Sequence, residues 1–143
     1  MNPILPAHIA AAGLWLGCVL TEALFERALL GRGREQERIL AALHRRVDVF
    51  VEIPAFVAVL VTGGVMLPAA AMNALLAAKI GFGLLAIAIN AYCVRLVFRR
   101  AAAAGSDHWP EFARLDRLQH RAGAVVLLAI VAALGLGIWH AAA

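Results

Sequence analysis

Four long apolar stretches alternate with short polar connections along this chain, and the contrast is sharp enough to draw helices from it. The stretches fall at about 4–29, 40–67, 71–98 and 114–140, each longer than the roughly 20 residues that cross a bilayer at ~1.5 Å rise per residue. The first connection, "LLGRGREQER", is charged and punctuated by glycine; the second, "MLPAAAMN", is a short hairpin broken at Pro68. The third, "RRAAAAGSDHWPEF", is polar and ends at Pro110 beside a helix start. Short loops favour antiparallel neighbours. Small residues in every span ("AHIAAAG", "TGG", "GFG", "LGLG") permit close helix contact where lipid supplies no hydrophobic drive to associate. The expected fold is all-α, a single integral-membrane four-helix up-down bundle covering residues 1–143.

Composition agrees. The chain has 143 residues, 64% of them hydrophobic, with a mean hydropathy of +0.85, whereas soluble domains hold about 45–50% apolar residues. Cys18 and Cys93 lie inside apolar stretches without C-x-x-C spacing and read as small core residues. The opening "MNPILPAH" lacks a basic leader, so no cleavable signal is expected.

The net charge of +4 would suggest nucleic acid in a soluble protein; here it reports topology. Arg27, Arg32, Arg34, Arg38, Arg45 and Arg46 surround the first loop, and Arg95, Arg99, Arg100, Arg114, Arg117 and Arg121 the third. The opposite end has no arginine and no lysine outside a span. The positive-inside rule then places both termini outside and the arginine-rich loops in the cytoplasm of a bacterial inner (plasma) membrane, with no nucleic-acid partner.

Lys79 is the only lysine, and it sits inside the third apolar stretch, about 10 Å from its start at ~1.5 Å per residue. His8 reaches a similar depth on the first helix, and Trp15, seven residues on, shares its face. Lys79 either snorkels to the headgroups or marks an intramembrane ligand site. His8 is either an interfacial histidine or a metal ligand. Taken together they describe a porphyrin site: an imidazole for haem iron, a cation for a propionate, and Trp15 as lining.

At the arginine end, Glu22 and Glu26 lie one turn apart, His44, Asp48 and Glu52 follow at four-residue spacing, and Asp116 and His120 repeat it. Facing carboxylates and histidines build metal sites in bundles. The reading taken is charge balance against the arginines, with these residues at the interface and Asp48 reaching Arg45, Arg95 or Arg121. Glu52 is roughly 12 Å deeper than His44 at ~1.5 Å per residue, near mid-membrane, where an ionised carboxylate is costly. Asn90 shares its depth, so Glu52 is either a structural partner of Asn90 or a proton relay facing a quinone. Trp109 in the third connection is a candidate docking point.

Three segments carry a family resemblance. "HIAAAGLWLG" (His8–Gly17) resembles the first helix of HemJ-type protoporphyrinogen oxidases and of CopD-like membrane proteins. "RRVDVFVEIPAFVAVLVTGG" (Arg45–Gly64) resembles the second, and "KIGFGLLAIAINAYCVR" (Lys79–Arg95) the third. The chain departs from the HemJ pattern at Asn90, where the family has histidine, and at "LQHRAG" (Leu118–Gly123), where it has Asn-Glu-x-Pro. The resemblance implies a haem b cofactor with His8 as axial metal ligand and Lys79 functional in the same site. It also implies porphyrinogen oxidation, with electrons leaving to quinone or another respiratory acceptor.

The alternatives from other classes are a CopD-like copper-handling protein, for which Met66, Met72, His8 and His140 are the outer-side donors, and a structural subunit of a membrane complex. A second copy of the chain is a further partner to consider.

Overall fold

The computed structural model describes residues 3–142. Among these there is no strand. Helix α1 (Ile4–Leu29) ends at Leu30, whose backbone turns extended. Gly31 and Gly33 follow with φ of 73° and 125°, a left-handed conformation that costs glycine little. Helix α2 (Arg34–Val47) opens with Glu35 and Glu37 and closes with Arg45 and Arg46, both favourable to the helix dipole.

The chain then stays helical but changes pitch. Residues Asp48–Glu52 form a π-helical turn that leads into α3 (Ile53–Met66). Pro54 supplies the reason: it has no N–H to give Phe50, and its ring crowds that carbonyl. The ladder slips by one residue, and Ile53 N–H bonds Asp48 O instead. A short 3₁₀ turn at Leu67–Ala69, containing Pro68, completes the second rod. Helix α4 (Ala74–Gly105) is capped by Asn73, whose Oδ1 accepts from Leu76 N at 2.8 Å. Helix α5 (Trp109–Ala142) carries Pro110 in its first turn, where the missing N–H is harmless.

Four rods, Ile4–Leu29, Arg34–Ala69, Ala74–Gly105 and Trp109–Ala141, are long and apolar enough to cross a membrane. The chain is a multi-pass membrane protein. Its apolar side chains face outward without penalty in lipid: Leu128 is 70% exposed and Ile138 72%.

Three of the four rods run longer than the apolar stretches, chiefly at the arginine end. The third connection is not a loose loop; Arg99–Gly105 continues α4, and only Ser106–His108 separates it from α5. Arg38 pairs with Asp107 across this turn. Trp109 is no free docking point either: its ring lies 5.5 Å beneath both Arg34 and Arg38 and packs edge-on against Phe112.

Helix α1 packs chiefly along α3, and α4 chiefly along α5. Two apolar cores hold them. One joins Trp15, Phe56, Ala86, Val126 and Ile130 in mid-bundle; the other joins Ala41, Leu96, Phe112 and Leu115 at the arginine end. Helices α3 and α4, though joined by a short hairpin, barely touch. That split, and a second between α1 and α5, are where the cavities lie.

Candidate functional site

A cavity of about 340 Å³ opens at the end remote from the arginines, and His8, Trp15 and Lys79 all line it. Its volume is within the range of small-molecule sites, about 300–1,000 Å³. His8 Nδ1 is 2.8 Å from Thr62 Oγ1. The Thr62 hydroxyl already donates to Ala58 O at 2.6 Å, so its oxygen is left to accept. The proton of His8 therefore sits on Nδ1 and the lone pair on Nε2, the arrangement that an outer hydrogen bond imposes on a metal-binding imidazole.

Lys79 rests against α5 at Gly137, where a Cβ would lie 3.2 Å from its Cε. Gly63 plays the same part for His8, since a Cβ there would meet Cε1 at 3.4 Å. All nine carboxylates of the chain are elsewhere, from Glu22 to Asp116, with Glu52 the deepest. Among the described residues Lys79 has no ion-pair partner. No described side chain supplies an anion for it. Gly64 and Gly83 also line the cavity, and a Cβ on either would meet nothing within 4 Å, leaving room for a flat ligand.

No protein-family model, curated protein or solved structure matches this chain.

Trp15 is also the partition between this cavity and a second one. Its Nε1 points to Asn90 Oδ1 at 3.4 Å, and its ring packs on Phe56 with centroids 5.9 Å apart. Asn90 lines the second cavity, of about 510 Å³, together with Glu22, Glu26, His44, Glu52, Gln119 and His120. It opens between α1 and α5.

Sequence reasoning placed the inner carboxylates and His44 at the interface; packing buries them. Glu22, Glu26, His44, Asp48, Glu52, Asp116 and Gln119 all turn into the bundle. Part of the set is charge balance, as expected. Arg100, fully buried, donates from Nη2 to Glu26 Oε1 at 2.7 Å and from Nη1 to Asp116 Oδ1 at 2.6 Å. Asp48 departs from expectation. None of Arg45, Arg95 or Arg121 pairs with it, and both its oxygens are buried without a hydrogen bond. Asp48 shares the inward face of His44, one turn before it, while Arg45 lies outside over the Phe98 ring at 4.9 Å.

Glu52 and Asn90 share the second cavity and interact there, as their common depth implied, although the Asn90 Nδ2 geometry falls short of a full hydrogen bond; Trp15 Nε1 holds Asn90 from the other side. Cys18 and Cys93 are free and buried, as their setting implied.

Thr62, Gly137 and Arg100 escaped the sequence reading. Thr62 had a signal, as one of only two threonines in the chain and isolated in an apolar span. Arg100 had none that separates it from the exposed Arg99 beside it.

Proposed function

We propose that this protein is a haem b redox protein of a bacterial plasma membrane, with His8 as axial ligand and Lys79 paired to a propionate. The observation that carries the reading is the His8–Thr62 bond, made by Nδ1 of a histidine that lines the same cavity as the chain's only lysine and leaving Nε2 as the nitrogen for a ligand. The residues fit the group: one neutral imidazole of fixed tautomer, one cation lacking a protein carboxylate, apolar walls, and glycines that leave a flat space. Haem, when bound, supplies one-electron chemistry.

The chain's own contributions follow from the geometry. Thr62 orients His8. Lys79 offsets a carboxylate that would otherwise be desolvated. Trp15 closes the cavity toward the inner half. Electrons leave to a quinone or another respiratory acceptor, and a porphyrinogen is the substrate the HemJ-like pattern suggests. The arginine-rich end is cytoplasmic by the positive-inside rule, so both termini and the haem cavity face outward.

The test is an absorption spectrum of detergent-purified protein, oxidised and dithionite-reduced, for wild type and His8→Ala. A Soret band with reduced α and β bands, lost or shifted in the variant, is the expected result. A wild type that stays colourless after haem is added would refute the reading.

A further inference from the structure

The inner cluster holds more negative charge than its partners account for. Five carboxylates are buried there, Glu22, Glu26, Asp48, Glu52 and Asp116, against one guanidinium, Arg100, and one imidazole, His44. Arg100 satisfies Glu26 and Asp116. Its fixed cation also fills the place between those two, so the trio of Glu26, Asp116 and His120 needs no ion. Glu22, Asp48 and Glu52 are left with the His44 ring and with neutral donors, the Cys18 thiol 3.9 Å from Glu22 and the Asn90 amide beside Glu52. Burying unpaired charge costs several kcal/mol per ion even after relaxation, so a compensating cation is missing from the side-chain inventory.

The geometry shows where it would go. Ligand atoms of Glu22, His44 and Asp48 lie within 4.8 Å of one another. His44 Nε2 is 3.1 Å from Glu22 Oε2 and 3.9 Å from Asp48 Oδ1. With metal–ligand bonds of about 2.0–2.2 Å, neighbouring ligand atoms sit about 3.0 Å apart around an octahedral ion and about 3.4 Å around a tetrahedral one. The shorter observed spacing, 3.1 Å, falls between those edges, and the longer, 3.9 Å, exceeds them by half an ångström or more.

The other side of the ring is arranged to match. His44 Nδ1 is 3.2 Å from Glu26 Oε1 and 3.0 Å from Arg100 Nη2. Gln119 Nε2 is also 3.2 Å from Nδ1. With an ion on Nε2, Nδ1 would carry the proton, and of these neighbours the Glu26 carboxylate is the one that can accept it. Carboxylate–histidine–metal relays have this form. Asp48 supplies the independent sign. It is 1% exposed, and neither oxygen has a hydrogen-bond partner. Its neighbour Glu52 is another carboxyl, and two ionised carboxylates do not bond each other. Either a proton or a metal ion lies between them.

We infer that Glu22, His44 and Asp48 bind a divalent first-row transition ion, with Glu52 as an adjoining carboxylate and Glu26 as the positioning residue for His44. One imidazole with carboxylates is a donor set for zinc, manganese or ferrous iron; Cys18, whose Sγ groups with Glu22 and Glu52, adds one thiol at its edge, short of the thiolate and thioether set that copper(I) selects. The site is separate from the haem cavity, beyond the Trp15–Asn90 partition, and stands whether or not haem binds.

Zinc is the probe. Full-length protein in mild detergent is stripped with chelator, dialysed and titrated with Zn²⁺ by calorimetry, with bound metal counted by elemental analysis. All variants carry His8→Ala so that the outer imidazole contributes nothing. One equivalent of zinc is expected, with affinity falling at least about tenfold in Asp48→Asn, since even outer partners of a metal ligand are worth 10–100-fold. Asp48→Asn removes a charge and no hydrogen bond, so a purely structural or proton-sharing Asp48 would leave zinc affinity unchanged. Should that variant fail to elute as a folded species, Glu22→Gln takes its place with the same expectation. The absence of saturable zinc in the parent, or unaltered affinity in the folded carboxamide variant, overturns the site.

Discussion

Thr62→Val isolates the hydrogen bond on which the haem reading rests. Valine keeps the shape of threonine and removes its acceptor, so His8 Nδ1–H loses the Oγ1 now 2.8 Å away. The helix itself loses little. The hydroxyl bond to Ala58 O, at 2.6 Å, duplicates a carbonyl that still receives the backbone N–H of residue 62. The direct loss is one neutral hydrogen bond, about 0.5–1.5 kcal/mol net. The functional loss is larger, because the imidazole then keeps only its contact with the Val59 backbone and is held less firmly in one tautomer and orientation. Outer partners of metal-bound histidines are worth about 10–100-fold in affinity, or about 1.4–2.7 kcal/mol. The assay is haem titration of apoprotein in detergent, followed at the Soret band, with a potentiometric titration of the reduced α band alongside. Weaker haem binding and a shifted potential are expected for Thr62→Val, with Thr62→Ser close to wild type. If Thr62→Val binds haem as tightly as wild type and at the same potential, Nδ1 does not set the ligand, and the assignment of Nε2 to iron loses its basis.

Arg100→Leu leaves Glu26 and Asp116 buried without their shared cation and should destabilise the protein by about 3–5 kcal/mol; thermal unfolding in detergent reads this, and an unchanged midpoint would refute the structural role of that pair. Gly137→Ala adds a Cβ 3.2 Å from Lys79 Cε, a contact the flexible chain can relieve by swinging away. Since alanine is worth up to about 1 kcal/mol over glycine in a helix, stability should hold or rise while haem affinity drops, and a variant unaltered in haem affinity would detach Lys79 from the ligand.

How far the sequence carries depends on the kind of force involved. The rods were legible because hydropathy decides them: α1 begins and ends within a residue of the apolar stretch. The extra turns of α4 and α5 were not, because they are stabilised outside the apolar region by contacts such as Arg99 with Glu111 at 2.8 Å and Arg38 with Asp107. Periodicity brought His8, Trp15 and Lys79 to one end, and the fold brings them to one cavity. What it could not give is Thr62, since a cross-helix bond spanning 54 positions leaves no trace in local spacing.

The same limit explains why the arginine end was read as surface. Counting charges there gives an excess of arginine, and balance looks sufficient. Burial changes the count, because Arg34, Arg45, Arg46, Arg99 and Arg114 are exposed and screened by solvent, while the carboxylates turn inward with Arg100 alone. Pro54 acts on part of this. The π turn it forces begins at Asp48, which already shares the inward face of His44 on α2, and it keeps Glu52, four residues on, in the same buried cluster. A helix that gives up regular hydrogen bonding in mid-rod tends to do so where a side chain must be re-aimed. Here the re-aimed group is Glu52, brought beside Asp48, whose two oxygens both lack a hydrogen-bond donor. The distortion and the missing cation are thus two views of one place in the chain.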